Sequence, residues 1–328
     1  MSKIHIVMST SGDFLKYMSV SIWSLMTSSD RDTHYVVSVL YLDIDKEQID
    51  ECKNIFSVWG NLELDFICVK PYVDKYGVDL NKARALPTCY GLLSGELFPE
   101  EDRVISLDSD LIIKRDLTAL WNTDMGDSII AGVLDADFSG QYNSKNPKYL
   151  KYYTESCPLD DPGAYIQAGV VLYDLSAFRE AFPNGEAFIA ACGGTYKYDD
   201  QDVLNRLCSG RIMLLDMRWN LIHNNLSSRV PYVISLAPEE VKRQYNEARK
   251  EPWIIHYAGC EKPWNSAECD LGDEFWAVVK TSPIRPETLT SPDFGAKDLK
   301  KSAEQRVRKF ARMLRFKLRK LKLSVSGR

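Results

Sequence analysis

The sequence predicts an α/β fold with a mostly parallel central sheet flanked by helices. Two observations support this prediction. Short β-rich runs alternate with helix-like segments along most of the chain, which is the order that βαβ units produce. Acidic residues follow several of the β-rich runs, where the carboxyl ends of parallel strands would meet. With 328 residues, the chain can form one large domain or two ordinary ones around a full hydrophobic core.

The predicted elements follow one another in a regular order. The β-rich runs are KIHIVMST, HYVVSVLYLD, LELDFICV, DRVISLDSD and SIIAGVLDAD. The helical segments between them are DFLKYMSVSIWSLMTSS, DKEQIDECKNIFSVW, TCYGLLSGELF and DLTALWNTDMGD. Residues 138–165, rich in Tyr, Asn, Pro and Lys, are expected to form a loop-rich surface excursion. Core-like segments then resume with YIQAGVVLYDLSAFREAF, QDVLNRLCSGRIMLLDMRWN and PWIIHYAGCEKPW.

Composition restricts the class of protein. Hydrophobic residues make up 45% and charged residues 27%, as in ordinary globular proteins. No uninterrupted apolar run is long enough for a transmembrane helix, and the first residues lack the apolar core of a signal peptide. The eight cysteines are scattered without a CxxC pair, which argues against a zinc cluster or a disulfide framework. This cysteine usage fits a reducing cytoplasm.

Charge is divided unevenly along the chain. Residues 297–328 contain 13 Lys and Arg against 2 acids, a net charge of +11, so the remaining residues carry −16. Apolar residues in this tail recur at helical spacing, at Val307, Phe310, Leu314, Leu318 and Leu321. The tail could pack on the body with a solvated basic face. We instead expect an amphipathic helix on an anionic membrane surface. Nucleic acid is disfavoured as a partner, because the acidic body would repel it.

Asp-x-Asp pairs recur along the chain, among them those at positions 43–45, 108–110, 135–137 and 200–202. Such a pair is weak evidence alone, because acids often end strands in solvated loops. Asp108 and Asp110 differ by following the apolar run VISL and preceding LII. They are candidates to ligate Mg²⁺ or Mn²⁺, which prefer carboxylate oxygens and leave positions for phosphate.

The order of the motifs distinguishes this pair. VISLDSDLIIKRDLTALW is followed by YIQAGVVLYDL, YKYDDQDVLN, MLLDMRWN and IIHYAGCEKPW. Over roughly residues 3 to 280, this ordered set resembles glycosyltransferase family 8. These retaining enzymes include bacterial lipopolysaccharide galactosyl- and glucosyltransferases and glycogenin. The resemblance implies a GT-A fold, in which a Rossmann-like sheet binds a nucleotide-sugar, usually a UDP-sugar, together with Mn²⁺; Mg²⁺ is the alternative ion.

The resemblance assigns metal and donor roles by position. It implies that Asp108, Asp110 and His256 bind the metal, and that Gly259 and Lys262 hold the donor pyrophosphate. The residue types suit these tasks, because Gly lets backbone approach a ligand and Lys offers a mobile charge to phosphate. A His among carboxylates favours Mn²⁺ over Mg²⁺. The candidate donor-binding residues are Ser9, Ser11, Asp108, Ser109, Gln167, Gly259 and Lys262. The other three histidines are expected to be structural: His5, His34 and His223.

The DQD segment is the candidate catalytic segment. In the family it lies beside the anomeric carbon of the donor. Asp200 then resembles an acid that binds donor-sugar hydroxyls, Gln201 could face the anomeric centre, and Asp202 is a second acid within reach. An acid before VLNRL could equally cap a helix. For Asp199, the capping role and the functional role both stay open. Retention could proceed through a covalent intermediate or by attack on the same face through an oxocarbenium-like state.

Three positions depart from the family pattern. Gly91 stands in TCYGLL where family members usually carry a donor-binding Arg, and Lys82 or Arg84 could replace its charge. Gln167 in QAG replaces the usual Asn and could reshape the sugar pocket. STSGDF replaces a commoner Asp-containing loop near the base, where Ser11 can still hydrogen-bond uracil.

The sequence therefore predicts a retaining, metal-dependent glycosyltransferase that moves a hexose from a UDP-sugar to a carbohydrate or glycoconjugate hydroxyl. We expect it to act in cell-surface glycan synthesis, in the cytoplasm at the inner face of the membrane. The predicted catalytic domain covers residues 1–283, and residues 284–328 form a linker and the basic tail. A sugar-phosphate nucleotidyltransferase is disfavoured, because STSGDFLKY has one Gly and one Lys. A non-catalytic nucleotide-sugar-binding or scaffold protein of the same fold is the alternative.

Overall fold

The computed structural model describes residues 3–79, 86–193 and 196–290. Its strands form a seven-stranded and a three-stranded sheet. The strands are β1 (Lys3–Ser9), β2 (His34–Tyr41), β3 (Leu62–Cys68), β4 (Arg103–Leu107), β5 (Leu111–Ile113), β6 (Ile130–Leu134), β7 (Ile166–Asp174), β8 (Ile212–Leu215), β9 (Leu221–Ile222) and β10 (Ile254–His256).

The large sheet has the strand order β3-β2-β1-β4-β7-β6-β8. Its first four strands are mutually parallel, and β6 is parallel to β8. Strand β7 runs antiparallel to both of its neighbours, β4 and β6. The prediction of a mixed α/β fold with a mostly parallel central sheet is therefore confirmed.

The small sheet continues from the carboxyl end of β4. Strand β10 lies between β5, to which it is antiparallel, and β9, to which it is parallel. Because β4 and β5 belong to different sheets, the loop between them must cross from one sheet to the other. Asp108, Ser109 and Asp110 form this loop. The two sheets thus meet where the sequence places its candidate metal ligands.

Helices surround the sheets. The α-helices are α1 (Leu15–Ser28), α2 (Lys46–Phe56), α3 (Lys70–Lys75), α4 (Leu86–Cys89), α5 (Ser94–Leu97), α6 (Thr118–Trp121), α7 (Ala136–Asn143), α8 (Pro147–Lys151), α9 (Leu175–Ala181), α10 (Glu186–Cys192), α11 (Asp199–Leu207), α12 (Arg229–Tyr232), α13 (Glu239–Lys250), α14 (Gly272–Thr281) and α15 (Pro286–Leu289). TCYGLLSGELF was predicted as one helix. In the structure it forms three consecutive short helical segments, which are α4, a 3-10 turn at Tyr90–Leu93 and α5.

Helix α1 fixes the loop between the two sheets. Its buried Ser21 hydroxyl lies 2.9 Å from the Ser109 carbonyl and 2.8 Å from the Leu111 carbonyl. The Ser24 hydroxyl accepts a hydrogen bond of 2.9 Å from the Ile113 N–H. Serine is a poor choice for a helix interior on propensity alone. Here the two hydroxyls satisfy buried backbone groups of the loop and of β5, which explains their place on a buried helix face.

Residues 138–165 differ from the expected loop. They include most of α7, α8, a π-helical turn at Tyr152–Ser156 and a 3-10 turn at Pro162–Ala164. The ring of Phe138 stacks on that of Tyr165 at 3.8 Å and meets Tyr153 edge-on at 5.0 Å. The tyrosines of this segment, which suggested an exposed loop, are thus largely buried in the core. Their hydroxyl groups have a buried partner, described below.

The packed body continues past the predicted boundary at residue 283. Ile284 and Leu289 are buried beside α1, and the Tyr17 hydroxyl donates a 3.1 Å hydrogen bond to the Leu289 carbonyl. The basic tail of residues 297–328 and the candidate cations Lys82 and Arg84 lie outside the described residues. Within the described residues, no helix is both long enough and apolar enough to cross a bilayer.

Candidate active and metal-binding site

Three predicted metal ligands meet at the junction of the two sheets. Asp108 and Asp110 follow β4, and His256 ends the neighbouring strand β10. One ligand atom of each residue lies within 4.8 Å of the other two. The Nε2 atom of His256 is 3.4 Å from Asp108 Oδ2 and 3.3 Å from Asp110 Oδ1. The register fixes this approach, because β10 pairs His256 directly with Leu111, the residue after Asp110.

Two amide side chains fix the orientation of the His256 ring. Its Nδ1 atom lies 2.9 Å from Asn220 Oδ1 and 3.1 Å from Gln167 Oε1. Both of these atoms are acceptors, so Nδ1 carries a proton, and the ring is held with Nε2 turned towards the carboxylates, as a metal ligand requires. The Gln167 oxygen is itself held by the Gly169 N–H at 2.7 Å and by the Asn220 amide at 2.6 Å.

This arrangement fits a divalent cation. The imidazole Nε2 and two carboxylates converge on one point, where a cation would be stabilised by all three groups. Gly169 leaves room for the ring, because a Cβ there would lie 2.3 Å from His256 Cε1. Two carboxylates and one imidazole are a donor set that Mn²⁺ accepts. Asp108, Asp110 and His256 are therefore the residues that could hold the metal.

Lys262 lies beside the same carboxylates. Its ammonium group contacts Asp110 Oδ2 and donates a 2.6 Å hydrogen bond to the Tyr257 carbonyl. Burial raises the pKa of Asp110, but Lys262 and His256 more than offset this effect and hold the pKa well below its usual range. Asp110 is thus ionised at any physiological pH, as a metal ligand must be.

Ser109 and Ser9 join the metal loop to β1. The Ser109 hydroxyl donates a 2.8 Å hydrogen bond to the Ser9 carbonyl. Ser109 is buried, so its side chain holds the loop in place while its backbone lines the cleft. Ser9 and Ser11 lie at the carboxyl end of β1, where a ligand in an open α/β sheet is expected.

A cavity of about 330 Å³ opens in front of this loop. It brings together several candidates from distant parts of the sequence, including Ser9, Ser11, Asp108, Asp110 and Asp200. Burial and the nearby Asp108 carboxylate raise the pKa of Asp200 to about 8. Gly91 lines the same cavity, where a Cβ would lie 3.1 Å from the Ser106 hydroxyl oxygen.

Asp202 does not reach the cavity. Its side chain is fully buried, and its carboxylate accepts hydrogen bonds from three tyrosine hydroxyls and two backbone N–H groups. The donors are Tyr152, Tyr153, Tyr165, Lys197 N–H and Tyr198 N–H. The expectation that Asp202 is a second acid at the donor sugar is therefore corrected. The carboxylate instead organises the aromatic cluster of residues 138–165.

Gln201 lies between two cavities. Its Oε1 accepts a 3.2 Å hydrogen bond from the Ala168 N–H, and its Nε2 lies 3.1 Å from Asp135 Oδ2 and 3.2 Å from the Tyr165 hydroxyl. Ala168 lines the first cavity, whereas Gln167 and Gln201 line a second cavity of about 320 Å³. The segment 167–168 thus separates the two spaces.

The second cavity has walls that suit a polyhydroxylated ligand. Arg229 Nε donates to Asp137 Oδ2 at 2.7 Å, and Tyr149 and Tyr198 offer aromatic surface. Burial and the neighbouring Asp137 raise the pKa of Asp135 to about 6. Carboxylates, an arginine and aromatic faces together bind hydroxyl groups and the apolar faces of sugar rings.

Gly259 lies at the edge of the second cavity with a φ of 113°, a conformation that favours glycine. A Cβ at this position would also lie 2.9 Å from the Asn225 side chain. The glycine is therefore required by the backbone of the loop after β10. The same loop carries Lys262 back towards Asp110.

Sequence reasoning missed several residues around the site. Asn220, which orients His256, ends the motif MLLDMRWN, but its role depends on a contact across 36 positions. Asp135 and Asp137 were visible as an Asp-x-Asp pair after a β-rich run, although nothing tied them to a cavity. Arg229 carried no sequence signal, because the carboxylate that it pairs with, Asp137, lies 92 positions away.

The chain also matches a known family along most of its length. The sequence profile of Glycosyl transferase family 8 aligns with residues 5–268. The chain belongs to glycosyltransferase family 8. It is therefore a member of a family of transferases that act on sugars, and the resemblance recognised in its ordered motifs is confirmed.

Curated relatives are similar at low identity. General stress protein A of Bacillus subtilis is 24% identical over 280 residues, which cover 80% of this chain and 88% of that protein. The lipopolysaccharide 1,2-glucosyltransferase of Escherichia coli K12 is 27% identical over 212 residues, 62% of this chain and 54% of that enzyme.

Solved structures support the fold of this family 8 chain. The apo structure of the bifunctional glycosyltransferase WbbM superposes with a TM-score of 0.76 at 24% identity, covering 88% of this chain and 51% of that one. The galactosyltransferase LgtC, solved with donor and acceptor sugar analogues, gives a TM-score of 0.65 at 23% identity, covering 87% and 98%. The architecture is thus that of GT-A glycosyltransferases.

Proposed function

We propose that this chain is a retaining glycosyltransferase that moves a hexose from a UDP-sugar to a hydroxyl of a carbohydrate or glycoconjugate, with Mn²⁺ as cofactor. One observation carries the proposal. Asp108, Asp110 and the Nε2 atom of His256 converge at the mouth of a cavity that also contains Asp200. The names of relatives such as the lipopolysaccharide 1,2-glucosyltransferase support a role in cell-surface glycan synthesis.

The first cavity is the proposed donor site. Ser9 and Ser11 lie where the uracil base would bind, and Asp200 would accept hydrogen bonds from sugar hydroxyls. Lys262, beside Asp110, and Gly259, at the edge of the second cavity, would face the diphosphate. Lys262 now contacts Asp110, and we propose that it turns to the donor phosphates once a cation takes its place. The bound metal would neutralise charge that develops on the leaving diphosphate.

The second cavity is the proposed acceptor site. Gln167, Ala168 and Gln201 lie between it and the donor site, so the acceptor hydroxyl would approach the anomeric carbon there. Since Asp202 is buried, Gln201 and Asp200 are the proposed groups beside that carbon. Two routes to retention remain open, a covalent glycosyl-enzyme and attack on the same face.

The test is release of UDP by the purified full chain, incubated with Mn²⁺ and a panel of UDP-sugars without acceptor. Slow hydrolysis of one donor is expected, and both EDTA and Asp108→Asn should abolish it. Asp160→Asn is the matched control, because it removes the same charge from an exposed position outside both cavities. If no donor is hydrolysed and calorimetry detects no UDP binding, the chain is instead a non-catalytic member of the fold.

A second part of the proposal concerns location. The net charge of +11 in residues 297–328 supports binding to an anionic membrane at its cytoplasmic face. We expect the full chain to sediment with vesicles that contain phosphatidylserine, and to be released as salt rises. Neutral phosphatidylcholine vesicles are the control. Equal binding to both, or to neither, would contradict the proposal.

A further inference from the structure

A second cluster of metal-ligating residue types lies behind the loop that carries Gly259 and Lys262. It consists of His223, Glu261 and Cys269, all buried, with one ligand atom of each within 4.8 Å of the other two. His223 directly follows β9, Glu261 follows β10, and Cys269 precedes α14. The cluster thus joins three separate segments.

His223 is the clearest sign of a missing partner. Its side chain is completely buried, and within the described residues neither ring nitrogen has a hydrogen-bond partner. A buried polar group without a partner costs about 1–3 kcal/mol, so native proteins rarely keep one. Burial and nearby Arg229 lower the pKa of His223 to about 3, which keeps the ring in its neutral, metal-binding form.

Glu261 is a buried carboxylate that lacks a cation. It accepts hydrogen bonds from the Leu226 N–H and, at 3.0 Å, from the Ser266 hydroxyl, but no lysine or arginine pairs with it in the described part of the chain. Nearby Asp270, by contrast, forms hydrogen bonds of 2.8 and 2.9 Å with Arg249. Each Glu261 oxygen keeps a lone pair that a cation could use.

Cys269 supplies the third ligand type. Its buried Sγ has only a long contact of 3.7 Å with the Asp270 carbonyl. Burial raises the pKa of this thiol, so it stays protonated unless a metal ion displaces the proton. Binding of a dication would release that proton to solvent. The resulting set of thiolate, carboxylate and neutral imidazole then exactly balances a charge of +2 within a buried space.

We propose that His223, Glu261 and Cys269 bind Zn²⁺, at a site separate from Asp108, Asp110 and His256. Imidazole and thiolate ligands together favour zinc over Mn²⁺ or Mg²⁺. Ligand atoms of tetrahedral zinc lie roughly 3.3–3.8 Å apart, given bond lengths of about 2.0–2.3 Å. The cluster, with separations of up to 4.8 Å, would need to contract by about 1 Å. Water or the second Glu261 oxygen takes the fourth position.

A metal ion at this site would fix the position of the loop after β10, which carries Gly259 and Lys262. Glu261 is adjacent to Lys262 in the chain. The backbone N–H of His223 donates a 3.0 Å hydrogen bond to the backbone carbonyl of His256. A zinc ion would therefore lock the loop after β10 against β9. This function does not depend on the donor or on turnover. It revises the expectation that His223 is merely structural and that the chain lacks a zinc cluster, since these ligands share no short sequence spacing.

Cobalt substitution tests the proposal on the full chain. The protein is stripped with chelator and titrated with Co²⁺, and near-ultraviolet charge transfer from thiolate to cobalt is recorded. Asp108, Asp110 and His256 include no sulfur, so this absorption cannot come from the first site, and cysteine variants identify the thiol that gives rise to it. We expect it at one cobalt per chain in the parent protein, and undiminished in Asp108→Asn. Zinc should abolish it by displacement.

Two variants and one control complete the test. Cys269→Ser should lose the absorption, whereas Cys260→Ser, which changes an exposed thiol nearby, should keep it. His223→Gln should weaken zinc binding by more than the roughly 10–100-fold typical of losing a hydrogen bond that supports a ligand. Absence of the band from Asp108→Asn, which leaves the cluster intact, would overturn the proposal. Loss of the band in Cys260→Ser, with the band kept in Cys269→Ser, would also overturn the proposal.

Discussion

Three consecutive residues at the start of α11 have three different surroundings. Asp200 lines the donor cavity, Gln201 lies between the two cavities, and Asp202 is enclosed by tyrosine hydroxyls. The sequence suggested one catalytic segment, because side chains at adjacent helix positions cannot be sorted into faces without knowing the core. The structure sorts them, since successive residues point about 100° apart around a helix.

The burial of Asp202 makes a prediction about stability. In Asp202→Asn, the amide NH₂ must face donors such as the Tyr152 hydroxyl or the Tyr198 N–H, which leaves buried groups unpaired. Each such group costs about 1–3 kcal/mol, so we expect several kcal/mol of lost stability in denaturant unfolding. Asp200→Asn should instead keep the unfolding midpoint and lose UDP release. A stable but inactive Asp202→Asn would show that Asp202 takes part in chemistry.

At the scale of elements, the sequence predicted five strands of the large sheet and the helices α1 and α2, but not the long helices α13 and α14. Alternating apolar runs indicated β1 to β4 and β6, and helical spacing indicated α1 and α2. The direction of β7 could not be predicted from the sequence. A buried strand has the same apolar pattern whether it runs parallel or antiparallel to its neighbours. Residues 138–165 were mistaken for a loop, because their tyrosines are polar enough to suggest the surface until Asp202 supplies a buried acceptor.

Helix α7 begins at a carboxylate with an unusual environment. Asp135 is its N-cap, accepting hydrogen bonds of 2.8 Å from the Asp137 N–H and 3.0 Å from the Phe138 N–H. Its pKa is raised from 3.8 to about 6, mainly by burial. The folded state therefore binds more protons than the unfolded state between these values. The contribution of Asp135 to stability therefore falls as pH rises from about 4 to about 6, and levels off above.

Asp135→Asn tests this effect. The amide oxygen can still cap α7, but it does not ionise. We expect the variant to gain stability relative to the parent as pH rises, by up to about 3 kcal/mol at pH 7 and little at pH 4. Denaturant unfolding at both pH values measures this difference. Asp45→Asn, at the exposed N-cap of α2, is the control and should show no comparable gain.

At the scale of the whole molecule, the described chain ends by packing on its own beginning. Helix α15 lies against α1, with Leu289 fully buried and Lys16 Nζ donating to the Thr288 carbonyl at 2.9 Å. The boundary was predicted at residue 283, because the resemblance to family 8 ends near residue 280. Whether such residues are packed depends on contacts some 270 positions away, which no local pattern contains.

Leu289→Ala measures how far the body extends. Removing a buried leucine side chain typically costs about 2–5 kcal/mol, so we expect a clear fall in the free energy of unfolding. Leu214→Ala, at a leucine that is 46% exposed, is the control and should change stability little. Equal effects of the two substitutions would mean that residues 284–290 do not belong to the folded body.

The narrow boundary between the two cavities has a consequence for how such enzymes diverge. The first cavity is built mainly from the ends of β1 and β4 and the turns around Gly91, whereas the second is built mainly from α7, α8, α12 and neighbouring turns. Changes in residues 135–149 can therefore reshape the second cavity without disturbing the first. If the second cavity takes the acceptor, as proposed, a lineage that keeps its sugar donor can acquire new acceptors by changing one short, aromatic stretch of chain.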